Sequence, residues 1–511
     1  MLRLLFVIVV AAWPLAGADW LMFGGDPQRT SWAKGETAIT RSSVKSLAVE
    51  WKLKLENAAK ELHSLTVPVI VENVFTPRGV KDIAIVAAAS DSLYAIDAEN
   101  GKLLWRKSFT AEGTAKSQPH WLCPNSLTAT PLIEKAGSGG TTVYSIASDG
   151  KLHALNVING EDRIPPKAFI PAFAKTWSLG LLNGVLYTTT SQGCNGVKSG
   201  IWAMDLRSPE RTVTNFQAST AGAGIWGRAG AAISASGLVF GETGDGSYDV
   251  EKGRLSDTVL AVTARDLKLK DYYTPSNRAW ITKKDLDMGN MSPVVFPFKK
   301  WELVAAAGKE GVIYLLDAKS MGGADHQTPL FRSPLYANED VDFAGRGFWG
   351  AFATWEDAKG ARWLYAPAWG PPHSQTPQFA KTNGGAPNGS IMAFRVEEKD
   401  GKPLLVPAWI SRDLNVPEPP IVANGIVFAV SSGENVRQLD SAGKLMSSKQ
   451  RAETPAGNAR LHAFDAETGA ELYSSGDAMS SFTHFGGLAI AGGRIFVTTY
   501  DGTVWAFGVK Q

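Results

Sequence analysis

Eight copies of one short strand pattern, alternating strands set off by glycine turns, and the lack of any amphipathic helix of several turns predict an all-β protein. Together they give an eight-bladed β-propeller, closed by a strand from near the N-terminus. The repeated strand carries a small residue between large apolar ones, and often ends in Asp. Its copies centre on Ala95, Ala154, Ala203, Ala261, Leu315, Ala393, Ala463 and Ala506. They recur about every 59 residues on average, which leaves room for several short strands per unit.

Taken in order, the chain opens with a secretory signal. Arg3 gives a positive start, Leu4 to Trp13 is apolar, and Ala16-Gly17-Ala18 fits a cleavage site. Residues 1–18 are therefore assigned to a signal peptide and 19–511 to the propeller. No cysteine follows the apolar run, which argues against a lipid anchor. No later stretch approaches about 18 consecutive apolar residues, so the mature chain should hold no transmembrane segment. The expected location is outside the cytoplasm, periplasmic or secreted.

Val49 to Lys54 reads as a strand without a blade, while the last repeat reaches Gly508 with three residues to follow. Pairing the two would close the ring and cover a sheet edge. Between the copies, segments such as Gly237 to Phe240, Gly425 to Phe428 and Gly493 to Val497 alternate as sheet strands do. Asp149-Gly150, Glu310-Gly311 and Asp501-Gly502 supply the turns before repeat strands. The stretch from about Phe331 to Gly389 exceeds what a blade needs, and its Trp349-Gly350, Trp369 to Pro372 and Asn383 to Gly385 are expected to form extended loops across one mouth of the ring.

Composition removes several functions. Lys plus Arg is 51 against Asp plus Glu at 49, a formal charge of +2, so there is no electrostatic footprint for nucleic acid. The two cysteines form no Cys-x-x-Cys-His motif, which excludes covalent haem of the c type, and no zinc ribbon or finger spacing. One bridge between Cys123 and Cys194 is compatible with an oxidising compartment.

Ala95-Ile96-Asp97-Ala98-Glu99-Asn100-Gly101-Lys102-Leu103-Leu104-Trp105 resembles the repeat of pyrroloquinoline quinone (PQQ) propellers. So does Ala463 to Gly469, with Tyr473 where that repeat prefers Trp. The opening Asp19 to Phe23 is similar to the start of such proteins, and the resemblance spans nearly the whole mature chain. Quinoprotein alcohol dehydrogenases of this kind hold PQQ and a metal near the ring axis.

That resemblance implies a site. Trp226, in Gly224 to Arg228, takes the place of the indole beneath the quinone, where a flat ring would stack on a planar cofactor. Asp245 falls where the family has a calcium-binding Asn, and is itself an oxygen ligand for a hard cation. Asp287, with Asp285 as runner-up, matches the catalytic general base near the metal. On a regular strand the two carboxylates would face opposite ways, a restriction that lapses in a loop. Lys309 stands where a cation meets the quinone oxygens, and Arg228 is a second cation for a tricarboxylate cofactor.

Two departures count against it. Cys194 takes the position of the family's calcium-binding Glu, and the adjacent cysteine pair that covers the quinone is missing. Cys123 lies in the corresponding region, so both cysteines map onto the cofactor pocket, where a bridge would replace that lid. The implied function is a PQQ-dependent dehydrogenase oxidising a small alcohol or sugar, with calcium as a second cofactor. Electrons would pass to a separate acceptor such as a soluble cytochrome. The alternative is a non-catalytic propeller serving as a periplasmic protein-interaction scaffold. A third reading, polysaccharide binding, draws on Trp349 and Trp369 as exposed aromatics.

Overall fold

The computed structural model describes residues 19–136, 140–219, 224–338 and 345–510. The signal peptide assigned to 1–18 lies outside them. Eight antiparallel sheets follow one another along the chain and form the blades of the propeller. Blade 1 spans residues 69–108, blade 2 132–168, blade 3 175–219 and blade 4 232–273; blade 5 spans 294–332, blade 6 347–410 and blade 7 421–474. Blade 8 begins at Leu488–Ala491, and its outermost strand is Leu47–Lys54, antiparallel to Thr503–Val509. The closing strand expected from Val49 to Lys54 is this one.

All eight repeat copies prove to be third strands. In blades 1, 2 and 3 they are Ser92–Asp97, Lys151–Asn156 and Ser199–Asp205; in blade 8 the copy is Thr503–Val509. Seven of the eight centre on Ala and the blade 5 copy on Leu315, and apolar clusters run from blade to blade. One of them joins Phe428 of blade 7, Phe496 of blade 8 and Ile70 of blade 1. Two six-residue α-helices, Arg278–Lys283 and Ser448–Glu453, lie outside the blades.

The turn that ends each repeat explains its Asp and Gly. Asp97 Oδ1 accepts from the Glu99 amide at 3.1 Å, and the Gly101 amide donates to the Asp97 carbonyl at 2.8 Å. In the corresponding turn of blade 2, Gly160 has φ of +72°, and a Cβ there would sit 2.7 Å from the Trp105 ring. Trp105 stands on the outer strand of blade 1 and donates its indole N–H to the Val157 carbonyl at 2.8 Å. Each such pair pins one blade to the next, and Trp51 on the closing strand repeats the contact on Ala98 at 3.1 Å.

The segment before the closing strand was not legible as structure in the sequence. Residues 20–33 run along the channel face of the inner strands and bond to blade after blade. Trp20 pairs with Ile70 of blade 1, and the Leu21 carbonyl accepts from Ile133 of blade 2. The Pro27, Gln28, Thr30 and Ser31 carbonyls then accept from Ile233, Val295, Thr354 and Val422, in blades 4 to 7. Arg29 reaches the Leu179 carbonyl in blade 3 at 3.0 Å, and Glu36 accepts from Gly493 of blade 8 at 3.1 Å. This segment plugs the channel.

Of the loops expected between Phe331 and Gly389, Gly370 to Pro372 and Asn383 to Gly385 lie outside the strands, while Gly350 and Trp369 are strand residues. Part of that stretch is strand, Ala353–Glu356 and Arg362–Trp369. Trp349 and Trp369 are only 5% and 1% exposed, so these two rings offer no open aromatic surface for a polysaccharide.

Candidate functional site

In a four-stranded antiparallel blade, the entry to strand 1 and the turn from strand 2 to strand 3 lie at one end. The other two turns lie at the opposite end. Trp226 stands in the entry to blade 4, and Asp245 in the loop between its second and third strands. Asp285 and Asp287 lie in the entry to blade 5, and Lys309 in its second-to-third loop. Topology thus delivers all of them to one mouth, where they line a cavity of about 260 Å³.

Backbone bonds stitch these loops together. Trp226 N–H donates to the Gly289 carbonyl at 3.1 Å, Gly244 N–H to Gly224 at 3.0 Å and Lys309 N–H to Asp287 at 3.1 Å. Gly289 is where three of the loops cross. A Cβ there would lie 2.5 Å from the Gly244 nitrogen and 2.8 Å from the Trp226 indole nitrogen. Any side chain at 289 would drive the loops apart.

Asp285 and Asp287 are not alternatives. They follow the helix Arg278–Lys283 in a loop where Asp285 has φ of +54°, and both carboxylates meet Lys309. Its Nζ lies 2.5 Å from Asp287 Oδ1 and 3.0 Å from Asp285 Oδ1. Burial raises the Asp287 carboxyl to about 6, against the pull of the Lys309 charge. Lys309 is held above its ordinary value, because the attraction of the aspartates outweighs its own burial. Burial and the Asp285 charge also raise Asp245.

Asp257 was missed from the sequence. It lies in the same loop as Asp245, fully buried, and accepts from the Thr282 hydroxyl and, at 3.4 Å, from Met288 N–H. Burial, then the Asp287 charge, raises it to about 8. The folded chain therefore holds a proton on Asp257 that the unfolded chain releases near its ordinary 3.8. That proton makes stability fall as pH rises from about 4 to about 8. Asp257→Asn is expected to be more stable than the parent at pH 9, with the gap narrowing towards pH 5. Denaturant unfolding at the two pH values checks this, and an equal gap at both would refute it.

Aromatic rings form the walls. Trp349 stacks on Trp369 with centroids 4.3 Å apart and planes 3° apart, and meets Trp226 edge-on at 5.6 Å. Lys309 Nζ sits 5.3 Å from the Trp226 ring centre. Trp177, His484 and Phe485 also line the cavity, Phe485 packed against the same aromatic cluster. Cys123 and Cys194 are joined in a disulfide, with Cα atoms 5.5 Å apart, beside the lining residues Leu122 and Gln192. The pairing expected of the two cysteines is present, although neither of them lines the cavity itself.

Arg228 is not brought to this cavity. It pairs with buried Glu418 and lies 4.0 Å over the Phe485 ring, facing a smaller void of about 30 Å³ that Phe23 of the plug also lines. The main cavity has instead three wall groups with no motif in the sequence: Lys175, Gln438 and Arg451. Arg451 is paired with Glu434, which also accepts from His484 Nδ1 at 2.7 Å. Against the burial of its carboxylate, His484 and Arg451 together hold Glu434 down to about 2, while burial keeps His484 below its ordinary value. Lys175 could have been noticed as a cation beside Trp177 at the entry to blade 3.

The donor set does not suit calcium. Asp287 and Asp285 already face an ammonium, Cys194 is locked in a disulfide, and among the described residues no three His, Cys, Asp or Glu side chains are placed to hold a metal. A quinone suits the cavity better. It has flat aromatic walls, two lysines, and a buried Trp226 indole N–H without a protein acceptor.

Residues 20–169 match the family model described as the β-propeller domain of PQQ-type glucose, ethanol and alcohol dehydrogenases. No curated protein matches the chain. Among solved structures it is similar to a quinohemoprotein alcohol dehydrogenase from Comamonas testosteroni, with a TM-score of 0.56 and 15% identity, over 97% of this chain and 81% of that one. A europium-containing methanol dehydrogenase gives 0.57 and 12%, over 96% and 98%. At such identities the likeness establishes the fold. The chain is an eight-bladed propeller of PQQ-type repeats that resembles quinoprotein dehydrogenases.

Proposed function

We propose that this chain is an exported quinoprotein-type dehydrogenase that oxidises the hydroxyl of a small alcohol or sugar and hands electrons to a separate carrier such as a soluble cytochrome. The observation that carries the reading is convergence: Trp226, Asp245, Asp287 and Lys309 come from four loops and line one cavity. A disulfide beside that cavity supports an oxidising compartment, as the signal-like N-terminus does. No helix among the described residues is long and apolar enough to cross a membrane.

Trp226, Trp349 and Lys309 would hold PQQ, which when bound supplies a two-electron acceptor. Asp287 serves as the general base, because a carboxylate near 6 is ionised at neutral pH yet basic enough to take a hydroxyl proton at Oδ. Lys309 keeps that carboxylate ionised and fixes its direction. Lys309 and Asp287 are themselves almost wholly buried, so the charge interaction between them is weakly screened. Calcium has no part in this reading.

Pure protein mixed with PQQ tests it. A bound-quinone absorption band with dye reduction on addition of alcohols or sugars is expected. No binding at stoichiometric concentrations would favour the scaffold reading, which the pairing of Asp287 with Lys309 and the loss of the Glu at 194 also favour.

A further inference from the structure

The cavity has two unlike sides. On one, Lys309 is met by Asp285 and Asp287, with Asp245 beside them and Asp257 behind. On the other stands Lys175, only 5% exposed, in the short strand Lys175–Thr176 that opens blade 3. Its Nζ donates to the Trp121 carbonyl at 3.1 Å and lies 5.2 Å from the Trp177 ring centre. An ammonium has three N–H donors, and among the described residues no carboxylate is paired with this one. Buried charges are normally paired, so an ammonium on a cavity wall with donors to spare has the form of half an ion pair.

The other described cations that line the cavity are matched, Lys309 by the two aspartates and Arg451 by Glu434, and Arg228 beyond its wall is matched by Glu418. The titratable neighbour of Lys175 is His63, and an imidazole, neutral or protonated, carries no negative charge to balance an ammonium. We infer that Lys175 is the anion-recognition residue of the cavity, and that the ligand it receives carries a carboxylate. This rests on the cavity being a ligand site, as proposed above, but not on the ligand being a quinone.

The inference has a thermodynamic signature. Burial alone lowers the Lys175 ammonium to about 7, so above that pH the free protein holds it largely as the amine. A carboxylate entering the cavity restores the charged form. Lys175 must then take up close to one proton on binding at pH 9, and none at pH 6. Asp287 and Asp257 share the cavity's acidic wall, and uptake by them is common to parent and variants. The uptake assigned to Lys175 is therefore the parent's excess over Lys175→Arg.

Calorimetric titration of the full mature chain tests this, with benzene-1,3,5-tricarboxylate as a planar probe that is not a quinone. Its neutral triamide is the control, and buffers of different ionisation enthalpy count the protons. The expected result is binding of the tricarboxylate over the triamide, with that excess proton uptake at pH 9. Lys175→Met should weaken binding at least ten-fold and abolish the excess. Lys175→Arg should retain binding without the excess, because Arg stays charged, and it guards against a misfolded Met variant. Failure of the parent to bind the tricarboxylate, equal binding by parent and Lys175→Met, or binding at pH 9 with no more proton uptake than Lys175→Arg would each overturn the inference. PQQ run in parallel separates the two readings: tricarboxylate binding without PQQ binding removes the quinone and leaves the role of Lys175.

Discussion

Replacing Arg29 by methionine is expected to destabilise the propeller by roughly 3 kcal/mol, read as a shift in denaturant midpoint at unchanged slope. Arg29 is almost wholly buried in the channel plug. It donates to the Phe23, Leu179 and Ala231 carbonyls at 2.8, 3.0 and 3.0 Å. Leaving three buried carbonyls without donors costs about 1–3 kcal/mol each. Against this, burial lowers the guanidinium from 12.5 to about 10, and removing that charge relieves about 3 kcal/mol. The loss exceeds the relief, so the variant is weaker. Arg29→Lys should not rescue it, since one ammonium cannot span three carbonyls set around a planar fork. A midpoint within error of the parent would mean that the plug merely fills the channel and does not tie blade 3 to blade 4.

The ring was legible because its repeat is physical. A small residue recurs where third strands pack, and a Gly with positive φ is needed where an indole of the preceding blade lies flat against the turn. Both leave marks at fixed offsets, as at Ala95 and Gly101 or at Ala154 and Gly160. The plug left none, because residues 20–33 bond mostly through backbone carbonyls, which any side chain supplies.

The same contrast runs through the site. Trp226, Asp245, Asp287 and Lys309 sit in short loops whose place at one mouth follows from blade connectivity. Lys175, His484 and Phe485 enter from blades 3 and 8, and Arg451 from the long loop of blade 7 that folds over the cavity. Their positions depend on tertiary contacts such as Arg451 with Glu434, which no local pattern encodes. Arg228 failed as a site residue for the reverse reason. Its neighbour Trp226 turns towards the cavity, while Arg228 turns the other way, to Glu418. The choice between Asp285 and Asp287 dissolved once a loop replaced the strand on which they would have diverged.

Asp287→Asn is expected to lower the rate of dye reduction by about 10²–10⁴, the range for loss of a general base. Quinone binding and the unfolding midpoint should change little, since Asn keeps the shape and one acceptor. The parent's rate should rise with pH through about 6, where Asp287 gives up its proton, and the rise should vanish in the variant. Lys309→Met separates this role from simple packing. The Lys309 charge lowers the Asp287 carboxyl, so its removal moves the acid limb of the profile upward, to a pH above 6. A merely structural Asp287 would show neither effect. Its Asn variant would lose rate and stability together, and the acid limb would stay in place when Lys309 is replaced. An Asp287→Asn protein that keeps the parent's rate and profile would move the general base elsewhere in the acidic wall, with Asp245 and Asp285 the remaining carboxylates that line the cavity.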